Sequence, residues 1–282
     1  MVDPQIARQG WRRLEPVHGM IYFVPEARER YAALGLTDWQ SGYFASRAAA
    51  FGAASPELVI ATFYNFSPRL IRKALPAAWG VVSPDKLLAA RLDAADAALR
   101  RADIHARPDL EETLALARRA ALAACERLPG RPLFAAHAAL KWPEDPVLAL
   151  WHAQTLLREY RGDGHIAVLA AEELSGLEAL ILHAAAGDIP VSFLKKTRGW
   201  SREEWAAGED ALRSRGLLGE GPTVSERGQA LRRRIEERTD ELALPAYAAL
   251  GEEGCERLAV LARGFGRAVV DAGLLTLPAD LA

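Results

Sequence analysis

Apolar residues recur at spacings of three and four along most of the chain, and sustained two-residue alternation is scarce. That periodicity predicts amphipathic helices and few strands. Leu87, Leu88, Arg91, Leu92, Ala95 and Leu99 trace one stripe, with one arginine inside it. Leu110, Leu114, Ala117 and Ala121 trace a second, Val147, Leu148, Trp151, Thr155 and Leu156 a third, and Leu258, Leu261, Phe265 and Val269 a fourth. Pro129-Gly130-Arg131-Pro132, Trp142-Pro143 and the segment 219–222 punctuate them as turns. The pattern is sharpest over 177–242. A short apolar helix at Leu177–Ala185 is ended by Gly187-Asp188, and a second runs over Pro190–Lys196 before a turn at Arg198-Gly199. Ser201-Arg202-Glu203-Glu204 has the form of a capping box, in which the serine hydroxyl and the glutamate satisfy each other's backbone amides. The helix it starts reaches about Arg215, where Gly216 supplies a positive-φ stop. Leu217-Leu218 and Thr223-Val224, joined by Gly219-Glu220-Gly221-Pro222, predict a two-stranded ribbon, and Gln229–Leu242 a long charged helix.

Parts of this pattern read twice. Pro68–Lys73 followed by Trp79 returns as Pro190–Lys196 followed by Trp200, the helix start Ser83-Pro84 as Ser201-Arg202, and Ala135–Leu140 as Pro245–Leu250. The offsets fall in one direction, from 122 for Pro68 to Pro190 down to 110 for Ala135 to Pro245, as short insertions would make them. Internal similarity of this kind predicts two copies of one helical module, a dimer fused into a single chain. The division is placed at 1–148 and 149–282; the helix near 146–161 fits either as the close of the first copy or as the opening of the second.

Composition narrows the function classes. The 282 residues carry a net charge of -2, so the chain as a whole offers no field that draws in nucleic acid or anionic membrane, and any basic surface must be local. Two cysteines, Cys125 and Cys255, are too few for a zinc knuckle or a disulfide scaffold. None of the six histidines forms a metal-binding pair, and no nucleophile elbow, phosphate loop or dinucleotide fingerprint occurs, so neither metal nor cofactor is expected. Met1-Val2-Asp3-Pro4 lacks the features of a signal peptide, and no apolar run reaches the roughly 18 residues that span a bilayer. A cytoplasmic protein without a membrane partner is expected.

Candidate chemistry collects in two sets. His18, His137 and His152 lie in apolar helical stretches beside aromatic residues, with Tyr22, Trp151, Arg158 and His165 on the same stretches and Tyr64 in the cluster Phe63–Phe66. A mostly apolar pocket with a few polar groups is the ordinary form of a small-molecule site. His18, Tyr22, Tyr64, His137, Trp151, His152, Arg158 and His165 are the ligand-binding candidates. Arg72, Lys73, Lys195, Lys196, Arg198 and Arg202 are the candidates for DNA contact. The helices beside them are poorly charged for that task. Ser201–Arg215 carries three basic residues against four acidic ones, and Pro84–Arg101 four against three.

The succession over 177–242, with Gly216-Leu217-Leu218 and Thr223–Gly228 as its most specific parts, resembles the winged helix-turn-helix of MarR-type regulators. Glu15–Met20, Phe63–Phe66, Trp151-His152 and Arg161–His165 resemble an actinomycete helix-turn-helix-like family over nearly the whole chain. MarR-type proteins are dimers whose terminal helices interlock, with a ligand pocket between that layer and the DNA-reading lobes. The resemblance therefore implies an all-α fold with small β-ribbons, in which two tandem MarR-like winged-helix modules form a single-chain pseudo-dimer, active as a monomer. It implies a small-molecule-binding protein acting as a ligand-responsive transcriptional regulator, with DNA as partner. The alternative is an enzyme on a winged-helix scaffold that has lost DNA binding and uses a pocket histidine as general acid or base. A third reading is a non-catalytic interaction module.

Overall fold

A computed structural model describes residues 2–276, and every regular element among them is a helix. In chain order these are α1 (Pro4–Gly19), α2 (Pro25–Ala33), α3 (Trp39–Ala48), α4 (Pro56–Phe63), α5 (Pro68–Val81), α6 (Pro84–Arg101), α7 (Leu110–Cys125), α8 (Pro132–Ala138), α9 (Pro146–Ala171), α10 (Gly176–Ala185), α11 (Val191–Arg198), α12 (Arg202–Ser214), α13 (Glu226–Ala248) and α14 (Gly251–Asp271). Short 3-10 turns occupy Met20–Tyr22, Ala49–Phe51 and Ile104–Ala106.

Seven of these helices open on a proline. Proline has no amide hydrogen to lose in the first turn, and its fixed φ is already helical. Asp3, Ser55 and Asp145 cap three of these starts by accepting from first-turn amides. The capping box at Ser201 and Glu204 forms as the sequence predicts, and a second, at Ser175 and Glu178, opens α10. Gly216 adopts a φ of 68° and ends the helical run after α12. The predicted ribbon does not reach the length of regular strands. One antiparallel bridge, Leu218 to Val224, stands in its place, with the Gly219 amide donating to the Thr223 carbonyl at 2.9 Å. The Ser225 amide donates back to the Leu217 carbonyl at 3.2 Å while its hydroxyl caps α13 by accepting from Gly228, so the pairing ends there.

α1, α7, α9, α13 and α14 form a helical layer in which α1 packs on α14, α7 on α13, and α9 on α1, α7 and α13. The boundary placed at 148/149 falls in the first turn of α9, which continues unbroken to Ala171. α9 is buried over much of its length, and its two ends belong to different cores. Val147 to Tyr160 contribute to a large core shared with α1–α8 and α14; Val168 and Leu169 contribute to a smaller one built with α10–α12 and the start of α13.

A tight seam joins the two lobes. The Tyr64 hydroxyl donates to the Leu174 carbonyl, the Trp200 indole to the Asn65 carbonyl at 3.0 Å, and the Ser67 amide to the Arg198 carbonyl at 2.9 Å. Gly176 makes this approach feasible, because a Cβ there would sit 1.9 Å from the Tyr64 carbonyl oxygen. No helix among the described residues is long and apolar enough to cross a membrane.

Candidate functional site

A cavity of about 130 Å³ opens between the turn Met20–Tyr22, α2 and α3. Tyr22, Tyr31, Trp39 and Tyr43 supply its aromatic walls, and Arg28 and Asp38 are among its polar groups. Asp38 is the N-cap of α3 and accepts from the Ser41 amide at 2.9 Å.

Tyr22 links this cavity to α9. Its hydroxyl lies 3.0 Å from His18 Nε2 and accepts from Arg91 Nη2 at 3.4 Å. On the far side of the imidazole, Nδ1 lies 2.8 Å from the Thr155 hydroxyl, which itself donates to the Trp151 carbonyl at 2.8 Å. A hydroxyl has one hydrogen to give, so Thr155 accepts from Nδ1–H, and Nε2 in turn accepts from Tyr22. This assigns the Nδ1–H tautomer to His18. Burial, reinforced by Arg158 and Arg91, holds its pKa well below the usual histidine range, so the ring is neutral at pH 7. It stacks on Trp151 with centroids 5.7 Å apart and planes 6° from parallel.

Behind this chain lies a buried charge cluster. Glu159 receives Arg158 at 2.9 Å and Arg47 at 3.4 Å. Burial opposes its ionisation, but the two guanidiniums outweigh burial and hold it down at about 2. Arg158 also pairs with Glu15 at 2.7 Å. Arg91 has no carboxylate partner among the described residues. It is 2 % exposed, its Nε and Nη1 lack hydrogen-bond partners, and it lies 5.3 Å and 5.4 Å from the rings of Tyr22 and Trp151.

The ligand-binding candidates divide. His18, Tyr22, Trp151 and Arg158 come together, because 151, 155 and 158 share one face of α9 and meet α1 there. His137 is buried nearby on α8; burial lowers its pKa to about 3, with Glu159 pulling the other way. His152 lies a quarter-turn round α9, edge-on to Trp142, and burial takes it down to about 4. His165 keeps the helix face but lies about 21 Å from Trp151 and about 10 Å from Arg158 along the axis, beside the Thr239 hydroxyl at 3.0 Å. Tyr64 belongs to the lobe seam. Arg91, Arg47, Glu159, Thr155, Tyr31, Trp39 and Tyr43 were not among the sequence-derived site residues. For Arg91 a signal existed, a charge within an apolar stripe.

The DNA-contact candidates also divide. Arg72, Lys73, Lys195, Lys196 and Arg202 are exposed, Arg72 facing Glu57 at 3.5 Å. Arg198 is half-buried, its guanidinium 4.6 Å from the Phe66 ring. In the first half α2 packs along α6, with Arg30 on Asp93 and Arg101 on Glu26, both at 2.7 Å. Arg100 pairs with Asp96 and Asp145, and Arg91 points inward, so the small positive surplus of α6 is spoken for. At the start of α12, Arg69 binds Glu204 at 2.6 Å and the Gly199 carbonyl at 3.2 Å. No group of three or more His, Cys, Asp or Glu among the described residues is placed to hold a metal ion.

No curated protein and no solved structure matches the chain. A helix-turn-helix family matches it over residues 7–276, nearly its whole length and both lobes, and family membership of this kind suggests a DNA-binding regulator. With its helical layer and its capped α11–α12 turn in place, the protein belongs to this helix-turn-helix family.

Proposed function

We propose that this helix-turn-helix protein binds a small molecule in the cavity beside Tyr22 and is a ligand-responsive transcriptional regulator of MarR-like type. The observation that carries the reading is the chain from cavity wall to layer: Tyr22 to His18, His18 to Thr155, Thr155 to the backbone of α9. α9 ends in the core of the second lobe, so a ligand that moves Tyr22 acts on a helix shared by both cores. His18, Tyr22, Trp151 and Arg158 frame the ligand side. Lys195, Lys196 and Arg202 form the phosphate-contact side, with Arg72 and Lys73 across the seam.

The element order supports two MarR-like halves in one chain, divided within α9. The second half runs α9, α10, α11, α12, bridge, α13, α14; the first runs α1, α4, α5, α6, 3-10 turn, α7, α9. α7 against α13 and α1 against α14 are the contacts that a pseudo-dimer requires. Retention of the purified protein on duplex DNA as ionic strength is varied tests the regulator reading. Retention at 50 mM salt that falls away by 200 mM supports it; absence of retention at about 50 mM removes it and leaves ligand binding standing.

One observation favours the enzyme alternative. Tyr22 is both cavity wall and hydrogen-bond donor to a neutral imidazole, an arrangement that can move a proton at the Tyr22 oxygen. His18 itself has both ring nitrogens engaged, so in that reading Tyr22 is the group that meets the substrate.

A further inference from the structure

We propose that the cavity takes a small organic monoanion of about one ring, held by the field of Arg91; this rests on the reading of the cavity as a ligand site. The charge inventory around Tyr22 does not close. Behind Tyr22, Arg47, Arg91 and Arg158 face two carboxylates, Glu15 and Glu159, while on the cavity lining itself Arg28 and Asp38 stand one against one. Arg158 pairs with both and Arg47 with Glu159, while His18 and His137 are neutral. One positive charge is left over, and it is on Arg91.

Buried charges are ordinarily paired, because a lone ion loses its hydration without compensation. Arg91 has only the hydroxyls of Tyr22 and Tyr31 and two aromatic faces beside it. It stands directly behind Tyr22, a wall of the cavity. Tyr31 is another wall; its buried hydroxyl oxygen lies beside Arg91, and its hydrogen has no acceptor among the described residues, so it can donate to an incoming oxygen. A carboxylate in the cavity would sit one side chain from the unpaired guanidinium, where the poorly solvated interior strengthens their attraction.

Size and lining set the rest of the ligand. The volume of about 130 Å³ is close to that of an apolar protein cavity of about 150 Å³ that accepts benzene. Tyr22, Tyr31, Trp39 and Tyr43 offer aromatic surface to a flat body. α2 and α3 stand between α1 and α4, whereas only residues 172–175 separate α9 from α10. The second half therefore has no equivalent site, and each chain binds one ligand.

Calorimetric titration of the full chain at pH 7.5 with benzoate, benzyl alcohol and inorganic phosphate tests this. Benzoate is expected to bind one per chain and at least about tenfold more tightly than benzyl alcohol, with phosphate weaker than both. Arg91→Gln is expected to erase the preference for benzoate while leaving benzyl alcohol binding within about twofold. If that variant does not fold, Tyr31→Phe provides the check, with a several-fold loss for benzoate alone. Benzyl alcohol binding as tightly as benzoate overturns the proposal and leaves the cavity reading intact. Phosphate binding more tightly than benzoate overturns it too. No binding of any probe at about 10 mM overturns both.

Discussion

Arg91 shows how one residue can be plain in the sequence and misleading there. It falls among Leu87, Leu88, Leu92, Ala95 and Leu99, and periodicity alone places it on the buried face, where the structure has it. Its role is not legible from that position, because the groups that meet it come from the turn Met20–Tyr22 and from α9. The histidines are similar. Their placement in apolar stretches correctly suggested burial, and burial has a consequence for stability. His137 is held at about 3 and His152 and His165 at about 4, with His18 lowered as well. Below the unfolded value of about 6.5 the unfolded chain binds protons that the folded one refuses. Stability is thus fully present above about pH 6.5 and declines as pH falls toward 4, by about 1–2 kcal/mol per histidine at pH 5. Urea unfolding at pH 7.5 and pH 5 checks this; equal midpoints would contradict it. Asp163 has the opposite sign. Burial raises it to about 6, although the Phe134 amide at 2.9 Å partly offsets that. Its contribution is favourable below about pH 4 and is lost as pH rises through 6. Asp163→Asn keeps an acceptor for Phe134 and is expected to raise stability at pH 7.5 by about 1–2 kcal/mol, read from thermal melts.

At the scale of elements, legibility followed the number of apolar positions. α6, α7, α9 and α14 are long enough for their stripes to stand out, and α10 and α12 are bracketed by Ser-x-x-Glu starts and by stops at Gly187 and Gly216. α2 and α3 were not predicted. α2 buries only Ala27 and Tyr31, one pair four residues apart among Glu26, Arg28, Glu29 and Arg30. So short a signal cannot be separated from a charged loop. The cost is functional, since α2 covers α6 and the two missed helices wall the cavity. The ribbon is shorter than predicted for a different reason: apolar residues on either side of a glycine turn suit a hairpin, but the cap of α13 begins at Ser225 and limits the pairing to one bridge. Close approach is likewise invisible in sequence. Gly176 reads as an ordinary first helical residue, yet it abuts the Tyr64 backbone. Gly176→Ala has to push one lobe off the other, and a loss of about 3 kcal/mol or more is expected. Guanidinium unfolding checks it, with Gly80→Ala, a helical glycine whose Cβ position is open, as the control.

For the whole molecule, the decisive quantity is how much positive charge is exposed and where it lies. A net charge of -2 gives no general attraction to DNA, and the seam joins the lobes at the segments that carry the basic residues. α6 is covered by α2, and the start of α12 carries the Arg69–Glu204 pair. The exposed cations of the DNA-contact set reduce to Lys195, Lys196 and Arg202 on the second lobe, with Arg72 and Lys73 on the first. If the proposed regulator engages DNA through these, it makes three to five phosphate contacts and reads one half-site rather than a palindrome. Each neutralised phosphate releases close to one counterion, so the slope of log affinity against log salt is expected between about -3 and -5. Lys195→Glu with Lys196→Glu should flatten that slope by about 2 units while lowering the melting temperature by only a few degrees, since both side chains are exposed and the Lys195–Trp205 contact is worth about 0.5–1 kcal/mol. A slope near -10 would require a second basic face, and an unchanged slope in the double variant would place the contacts elsewhere.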